Sequence, residues 1–363
     1  MGNKKADFFD SRDKYLSFVN STNEKSNIAF KLASYLKKTH IQTNALKIFD
    51  AGTGEGTVIS TLLSAVHERF PEEPVFVIGK EISVDDISSL LSFLGDRFFE
   101  HKNLIFCITN CSYNDFNTKN LLDIKFMKKE LKGNAGFSFT QQLLKMNSLI
   151  KRNWELTEEN SSTLLKPKQK TLLAIYREDQ KISLNHLIPK NIQDIPIKYD
   201  FIIASQAFRL RSPYERTMRL IVWPLCRMLE SNGQLFLIYS SGNDFTKKML
   251  KTFFPKINPF QYNDPKKFIK QIKLNNSQRN QFKVSVTSFF YTFINMSLTS
   301  KKGFSPMNAL GLWNAITYVG QISEKEQNKV NINIKFLDKI SKMAEKLPLK
   351  FKDNLLRFKK RGD

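Results

Sequence analysis

Three glycines at alternate positions, Gly52, Gly54 and Gly56, follow a short apolar run that closes on Asp50 and precede a helical stripe of Val58, Ile59, Leu62, Leu63 and Val66. A strand that enters a helix through such a turn lets backbone N–H groups and a helix N-terminus approach a ligand closely. The spacing is not the Gly-x-Gly-x-x-Gly of a dinucleotide turn. No Lys-Ser or Lys-Thr follows the last glycine, which removes a Walker loop. A second acid, Glu81, closes the apolar run "PVFVIGKE" 29 residues after Gly52, just ahead of a helix start marked by Ser83 and Asp86.

The elements that must hold these residues read as alternating strands and helices. "LKIFD", "PVFVIGKE" and "NLIFCIT" are short buried strands, with helices between them over the Val58 stripe and over Ile87, Leu90, Leu91 and Leu94. Such alternation with short connections makes a parallel sheet covered on both faces. Ahead of it, residues 1 to 40 read as helices packing over the glycine turn, with Ile28, Leu32, Tyr35 and Leu36 on one face. The alternation breaks from 115 to 198, where a long helix over 137–158 and a hairpin in "KTLLAIYREDQKISLNHLIP" are expected, a candidate substrate cover. "YDFIIASQAF" resumes the order as a fourth strand. Ser212, Pro213 and Glu215 open a helix to about 230, kinked at Pro224 and ended by Asn232-Gly233. "QLFLIYSSG" is a fifth strand, a helix follows near 244–254, and "FKVSVTSFFYTFIN" supplies one or two late strands. The lysine-rich end, 335 to 361, reads as a solvated helix face.

A length of 363 residues suits one decorated domain. The three cysteines form no disulfide framework, and Cys107 with Cys111 is half a metal site, so no metal is expected and the usage suits a cytoplasmic protein. No transmembrane segment or secretory signal is read in the sequence. The net charge of +23 could attract nucleic acid, an anionic membrane or an acidic substrate. The excess is mostly lysine spread along the chain, so a nucleic-acid partner is disfavoured though left open. The sequence assigns no oligomeric state.

Asp50 with the three glycines resembles the first motif, acid-x-Gly-x-Gly-x-Gly, of the class I S-adenosylmethionine-dependent methyltransferases. The resemblance implies a Rossmann-like, doubly wound, mostly parallel α/β sheet. It divides the chain into a helical cap (1–44), a core (45–300) with an insertion at 115–198, and a C-terminal extension (301–363). It also implies S-adenosyl-L-methionine as cofactor and S-adenosyl-L-homocysteine as product. Asp50, Gly52, Thr53, Gly54, Glu55 and Gly56 would then line the cofactor, and Glu81, followed by Ile82, would accept the ribose hydroxyls. The third-strand end, Asn110 and Cys111 or Asp115 beyond, would face the adenine. The fourth-strand end, Ser205, Gln206 and Phe208, would face the methyl group and substrate.

Methyl transfer from a sulfonium needs binding, orientation and desolvation, and a neutral amine acceptor needs no dedicated base. The dispersed histidines, His40, His67, His101 and His186, therefore have no required role. The turn "SQAF" lacks the Asn/Asp-Pro-Pro-aromatic pattern of base N-methylation, and no cysteine follows a proline as C5-methylation of a base would need. "YLSFVNSTNEK" and "YSSGNDFTKKMLKTFFP" are similar to segments of histamine N-methyltransferase-like enzymes, where the first helps bind a cationic amine. Here Asn23 intrudes before Glu24 and Lys25 replaces a histidine. Glu24 has two readings, substrate contact or a capping box with Ser21. The acceptor-side candidates are Glu24, Gln206, Phe208, Trp313 and Tyr318, with Gln206 and Glu24 the candidates for the chemical step. "SFFYTFIN" and "LWNAITYVGQI" serve either as core or as pocket wall. The leading reading is methyl transfer to a small molecule, at nitrogen; a protein or RNA substrate and a non-catalytic relative are its rivals.

Overall fold

Leu46–Asp50 (β1), Val75–Lys80 (β2) and Leu104–Thr109 (β3) are almost wholly apolar and buried on both faces, as central parallel strands must be. The structure is a computed structural model that describes residues 12–37, 39, 41, 43–117, 123–159, 162–274, 280–294 and 304–362. Its other strands are Lys125–Leu131 (β4), Leu156–Glu159 (β5), Ser162–Pro167 (β6), Thr171–Arg177 (β7), Tyr199–Ser205 (β8), Leu229–Ser240 (β9), Phe282–Thr292 (β10) and Lys350–Lys360 (β11). Among the described residues, β5 and β6 pair as a hairpin and the rest form one sheet in the order β10-β11-β9-β8-β1-β2-β3-β7-β4. The centre from β3 to β9 is parallel, while β7 and β11 run antiparallel to their central neighbours. This is the Rossmann-like, doubly wound, mostly parallel class expected from the sequence.

The first helices are Arg12–Ser21 (α1), Glu24–Leu36 (α2), Thr57–Arg69 (α3), Val84–Glu100 (α4), Tyr113–Asn117 (α5), Gly136–Leu144 (α6) and Asn147–Asn153 (α7). One sheet face is covered by α2, α3, α4, α6 and α7, through Ile28, Leu62, Leu91, Phe139 and Ile150. The other face is covered by α1 and by helices over 214–227, 245–253, 265–274 and 306–319, through Phe18, Val222, Met249, Phe268 and Trp313. The expected start of α4 is present, with Ser83 Oγ accepting from the Asp86 amide.

Several expected elements differ. The stretch 137–158 is two short helices and a strand, broken at Lys145–Met146. "KTLLAIYR" is not half of a hairpin: β7 joins the main sheet against β3, because its residues are apolar on both faces and need cover on both. The helix after β8 shows a π-helical turn at Met218–Val222, immediately before Pro224, whose ring supplies no N–H for the regular ladder. It ends at Arg227, and Asn232-Gly233 sits inside β9 with Asn232 at φ 62°. The solvated helix expected over 335–361 is a helix only at 334–344; 350–360 is β11, inserted between β9 and β10. The edge strand β4 carries Lys125, Lys128 and Lys129, charges that discourage strand addition.

Candidate functional site

Strand order reverses on either side of β1, and open α/β sheets bind ligands at the C-terminal ends of the strands beside such a reversal. The glycine turn lies there. Gly54 has φ +57° and Gly56 φ +95°, and a Cβ on Gly56 would stand 2.7 Å from Leu90 Cδ1, so both the backbone conformation and α4 require glycine. Glu81, at the end of β2, holds the turn in place: Oε2 accepts from the Gly54 amide at 2.8 Å, and Oε1 accepts from the Ile82 and Ser83 amides at 2.8 and 2.9 Å. From below, the Tyr113 hydroxyl donates to the Ala51 carbonyl at 2.7 Å. Burial raises the pKa of the Glu81 carboxyl, against the Ser83 N–H that favours its charged form. Burial likewise pushes Asp50 up to about 7, opposed by the Gly52 N–H.

The N-terminal helices close over this turn. Asn23, between α1 and α2, accepts the Thr292 amide on its side chain at 2.7 Å, and Ser21 O accepts from the Ile294 amide, so the junction is pinned to the end of β10. That pin places Tyr15, Glu24 and Lys25 over the strand ends. Tyr15 donates its hydroxyl to Glu55 Oε2. Lys25 Nζ lies 3.6 Å from Glu24 Oε2 and over the Tyr15 ring, 5.7 Å from its centre. Burial works against the Lys25 charge, but Glu24, Tyr15 and Glu55 outweigh it and its pKa is raised. Burial also opposes ionisation of Glu55, and Lys25 with the Tyr15 hydroxyl holds its pKa below the ordinary value.

Gln206 follows β8 at φ 52°, a strained conformation for a side-chain-bearing residue that aims its amide inward. Its Nε2 donates to Glu24 Oε1 at 3.1 Å and to Ser240 Oγ at 3.4 Å. The expected capping box at Ser21 is not formed: Ser21 Oγ donates to the Phe18 carbonyl, and Glu24 turns inward to Gln206. Tyr318 completes the aromatic wall, 5.6 Å from Tyr15 and 4.9 Å from Phe18 between ring centres.

Glu24, Asp50, Gly52, Thr53, Gly54, Glu55, Gly56, Glu81, Ile82, Ser205, Gln206 and Tyr318 therefore converge on one end of the sheet. Other candidates stand elsewhere or are engaged. Asn110 bonds the Asn153 and Gln169 carbonyls and the Thr171 amide, and Cys111 is buried against the Thr171 carbonyl; together they clamp β7 onto β3. Asp115 is engaged by Ser112 and Lys170. Phe208 packs on Tyr239 and Phe268, and Trp313 is fully buried among Phe253, Phe254 and Phe336. His67 and His101 are not dispersed but face each other, Nδ1 to Nδ1 at 3.2 Å; His40 lies outside the described residues.

Sequence reasoning missed Tyr15, Ser240 and Asp353. Asp353 faces Ser240 across the β11–β9 pair and is fully buried. Burial, then the neighbouring Glu24 carboxyl, raise its pKa well above the ordinary range. An acid inside the alternating run "KFKDNLLRF" was its signal, visible once 350–360 is read as a strand. The described residues also enclose a cavity of about 270 Å³ beside Phe116, Lys198, Cys226 and Lys360, but it lies at the opposite end of the sheet, by the start of β8. Among the described residues no group of three or more His, Cys, Asp or Glu could hold a metal ion, and no helix is long and apolar enough to cross a membrane.

The cradle fits an S-adenosylmethionine-like ligand on its own terms. A Cβ on Gly52 would meet only the Ser205 carbonyl, in ordinary contact at 3.9 Å, so the turn lies against the end of β8 without being crowded by it. The buried hydroxyls of Thr53 and Ser205 have no partner there, and Glu81 Oε2 takes a single amide and keeps capacity for a ligand hydroxyl.

No protein-family model matches the chain, and no curated protein matches it significantly. Solved structures similar to it include a putative class I S-adenosylmethionine-dependent methyltransferase from Listeria monocytogenes, 10% identical with a TM-score of 0.35 over 93% of this chain and 60% of that one. Another is phosphoethanolamine N-methyltransferase 2 of Haemonchus contortus with phosphomonomethylethanolamine and S-adenosylhomocysteine, 9% identical at 0.32 over 93% and 53%. A third is an S-adenosylmethionine-dependent methyltransferase from Archaeoglobus fulgidus, 12% identical at 0.33 over 93% and 95%. The chain thus spans less than two thirds of the length of the first two. Likenesses this loose carry no weight on function, which rests on the site itself.

Proposed function

We propose that the chain is a class I S-adenosylmethionine-dependent methyltransferase that transfers a methyl group to a small molecule, with nitrogen as the acceptor atom. The observation that carries this is the binding of the positive-φ glycine turn to the Glu81 carboxylate, at the sheet reversal and next to the buried Glu24–Gln206 pair. In this reading Gly52, Thr53, Gly54 and Ser205 hold the methionine portion by backbone and hydroxyl groups, and Glu81 takes the ribose hydroxyls. Ile82 lies beside the ribose; Asn110 and Cys111 shape the floor of the adenine side. Asp50, Glu55 and Gly56 hold the shape and charge of the turn. When bound, the cofactor supplies an electrophilic methyl group and keeps the electrons of the broken C–S bond on sulfur.

The chain's own contribution is orientation and exclusion of water. Tyr15, Phe18 and Tyr318 wall off the acceptor side, and aromatic faces with buried carboxylates favour a cationic amine. Gln206 fixes Glu24 in the rotamer that faces this space. Residues 1–44 act as the cap, 45–300 with β11 as the catalytic core, and buried free thiols at Cys107, Cys111 and Cys226 suit the cytoplasm.

The test is labelled-methyl transfer from S-adenosylmethionine into cell extract separated into small-molecule, protein and RNA fractions. Label confined to small molecules is expected. Label in protein or RNA contradicts the acceptor class, and cofactor binding with no label anywhere supports a non-catalytic relative of the fold.

A further inference from the structure

The cavity at the starting end of β8 has no part in the methyl-transfer reading. Its volume of about 270 Å³ is just under the roughly 300 Å³ at which pockets for drug-sized molecules begin, so it suits a smaller ligand. One side is apolar and preformed. Phe116 from α5, Cys226 and Phe282 from β10 line it, all three buried, and the Phe116 and Phe49 ring centres are 5.6 Å apart. The other side is cationic. Lys198 precedes β8, Arg227 ends the helix before β9, and Lys360 is the cross-strand partner of Phe282 in β11.

The two ammonium groups are held in place by backbone. Lys198 Nζ donates to the Arg227 carbonyl, and Lys360 Nζ donates to the Leu229 carbonyl at 3.2 Å, so both are tied to one short stretch of chain. An ammonium has three N–H donors, and each of these bonds uses one. Among the described residues no carboxylate pairs with Lys198, Arg227 or Lys360. Glu230, whose charge does reach Lys198, is taken by Lys47 at 3.4 Å. Burial and then repulsion from Lys360 hold the Lys198 pKa below its ordinary value, a repulsion that an anion in the cavity would relieve. A recess lined by one sign of charge over low-dielectric walls concentrates counter-ions.

Three cations around one recess match a dianion better than a single carboxylate. A phosphate monoester carries close to two negative charges at neutral pH and offers three acceptor oxygens. The apolar side would add nothing to a bare phosphate ion, so the ligand needs an apolar body as well. We propose that this cavity is a second ligand site, separate from the glycine turn, that binds a small phosphate monoester carrying a ring-sized apolar group. The phosphate sits on Lys198, Arg227 and Lys360, and the apolar group lies against Phe116, Cys226 and Phe282. The site stands whether or not the glycine turn holds S-adenosylmethionine.

The test is calorimetric titration of the full chain with phenyl phosphate, inorganic phosphate and benzyl alcohol. Wild type should bind phenyl phosphate, and each of the other two at least about tenfold more weakly, since each carries half of the match. Arg227→Gln and Lys198→Met should each weaken phenyl phosphate about tenfold. Lys248→Met, at an exposed lysine of the 245–253 helix, should leave its affinity unchanged. The Arg227 side chain is exposed, so its variant reads the site even where Lys198→Met does not fold. No binding by wild type, equal affinity for phenyl phosphate and inorganic phosphate, or an equal loss in Lys248→Met overturns the proposal. Tighter binding of an RNA homopolymer or of phosphatidylglycerol vesicles, lost in Arg227→Gln, overturns the small-molecule class.

Discussion

Gly56 and Asp50 show how much of this site is decided one residue at a time. Gly56→Ala forces φ +95° on a Cβ and drives it into Leu90, so urea denaturation should show a loss of about 2–4 kcal/mol. Burial pushes the Asp50 carboxyl up to about 7 from an ordinary 3.8, so its neutral form favours the fold. Its stabilising contribution is complete below the ordinary value and lost as pH rises through 7, with Glu81 acting in the same direction. Between pH 5 and pH 8, wild type should lose about 1–3 kcal/mol more stability than Asp50→Asn in urea titrations. An equal loss in both contradicts this. At this scale the sequence was most informative where type and spacing jointly constrain the backbone, as in Asp50, the glycines and Glu81. Glu24 was ambiguous, because Ser21-x-x-Glu24 fits a helix cap as well as a site; only the pin of Asn23 onto β10 turns it inward.

Among the elements, α1 and α2 stand out because they roof the glycine turn. Tyr15 to Glu55 is the contact that ties α1 to it, a half-buried bond to a charged acceptor. Tyr15→Phe should cost about 1–2 kcal/mol and speed amide exchange in α1, measured by hydrogen exchange and mass spectrometry. Unchanged exchange in α1 would show that the helix is held by Phe18 and its packing on the 306–319 helix instead. The core strands were legible from their apolar runs and α4 from its cap. Residues 137–167 and 170–189 were not, since short apolar stretches such as "TLLAIYR" fit either a hairpin or a buried strand. What settled β7 was its pairing with β3 and β4, a long-range fact that no local window contains.

For the molecule as a whole, β11 is the element the sequence concealed most completely. Its lysines looked like a solvated helix, yet Phe351, Leu355, Leu356 and Phe358 are buried and its backbone pairs with β9 along one edge and β10 along the other. Truncation after Pro348 should therefore leave two open edges and an unsupported β10, and yield aggregated protein by size-exclusion chromatography. A monodisperse, folded product would contradict the role given to β11. The same strand sets Asp353 opposite Ser240, which Gln206 links to Glu24, so β11 and the first helices meet beside Gln206. The central claim is that the turn and Glu81 hold S-adenosylmethionine, and calorimetric titration with S-adenosylhomocysteine addresses it most directly. Wild type should bind, and Glu81→Ala should bind about 10–100-fold more weakly, the loss of a charged hydrogen-bond acceptor. Equal affinities, or no binding by either protein, would contradict it.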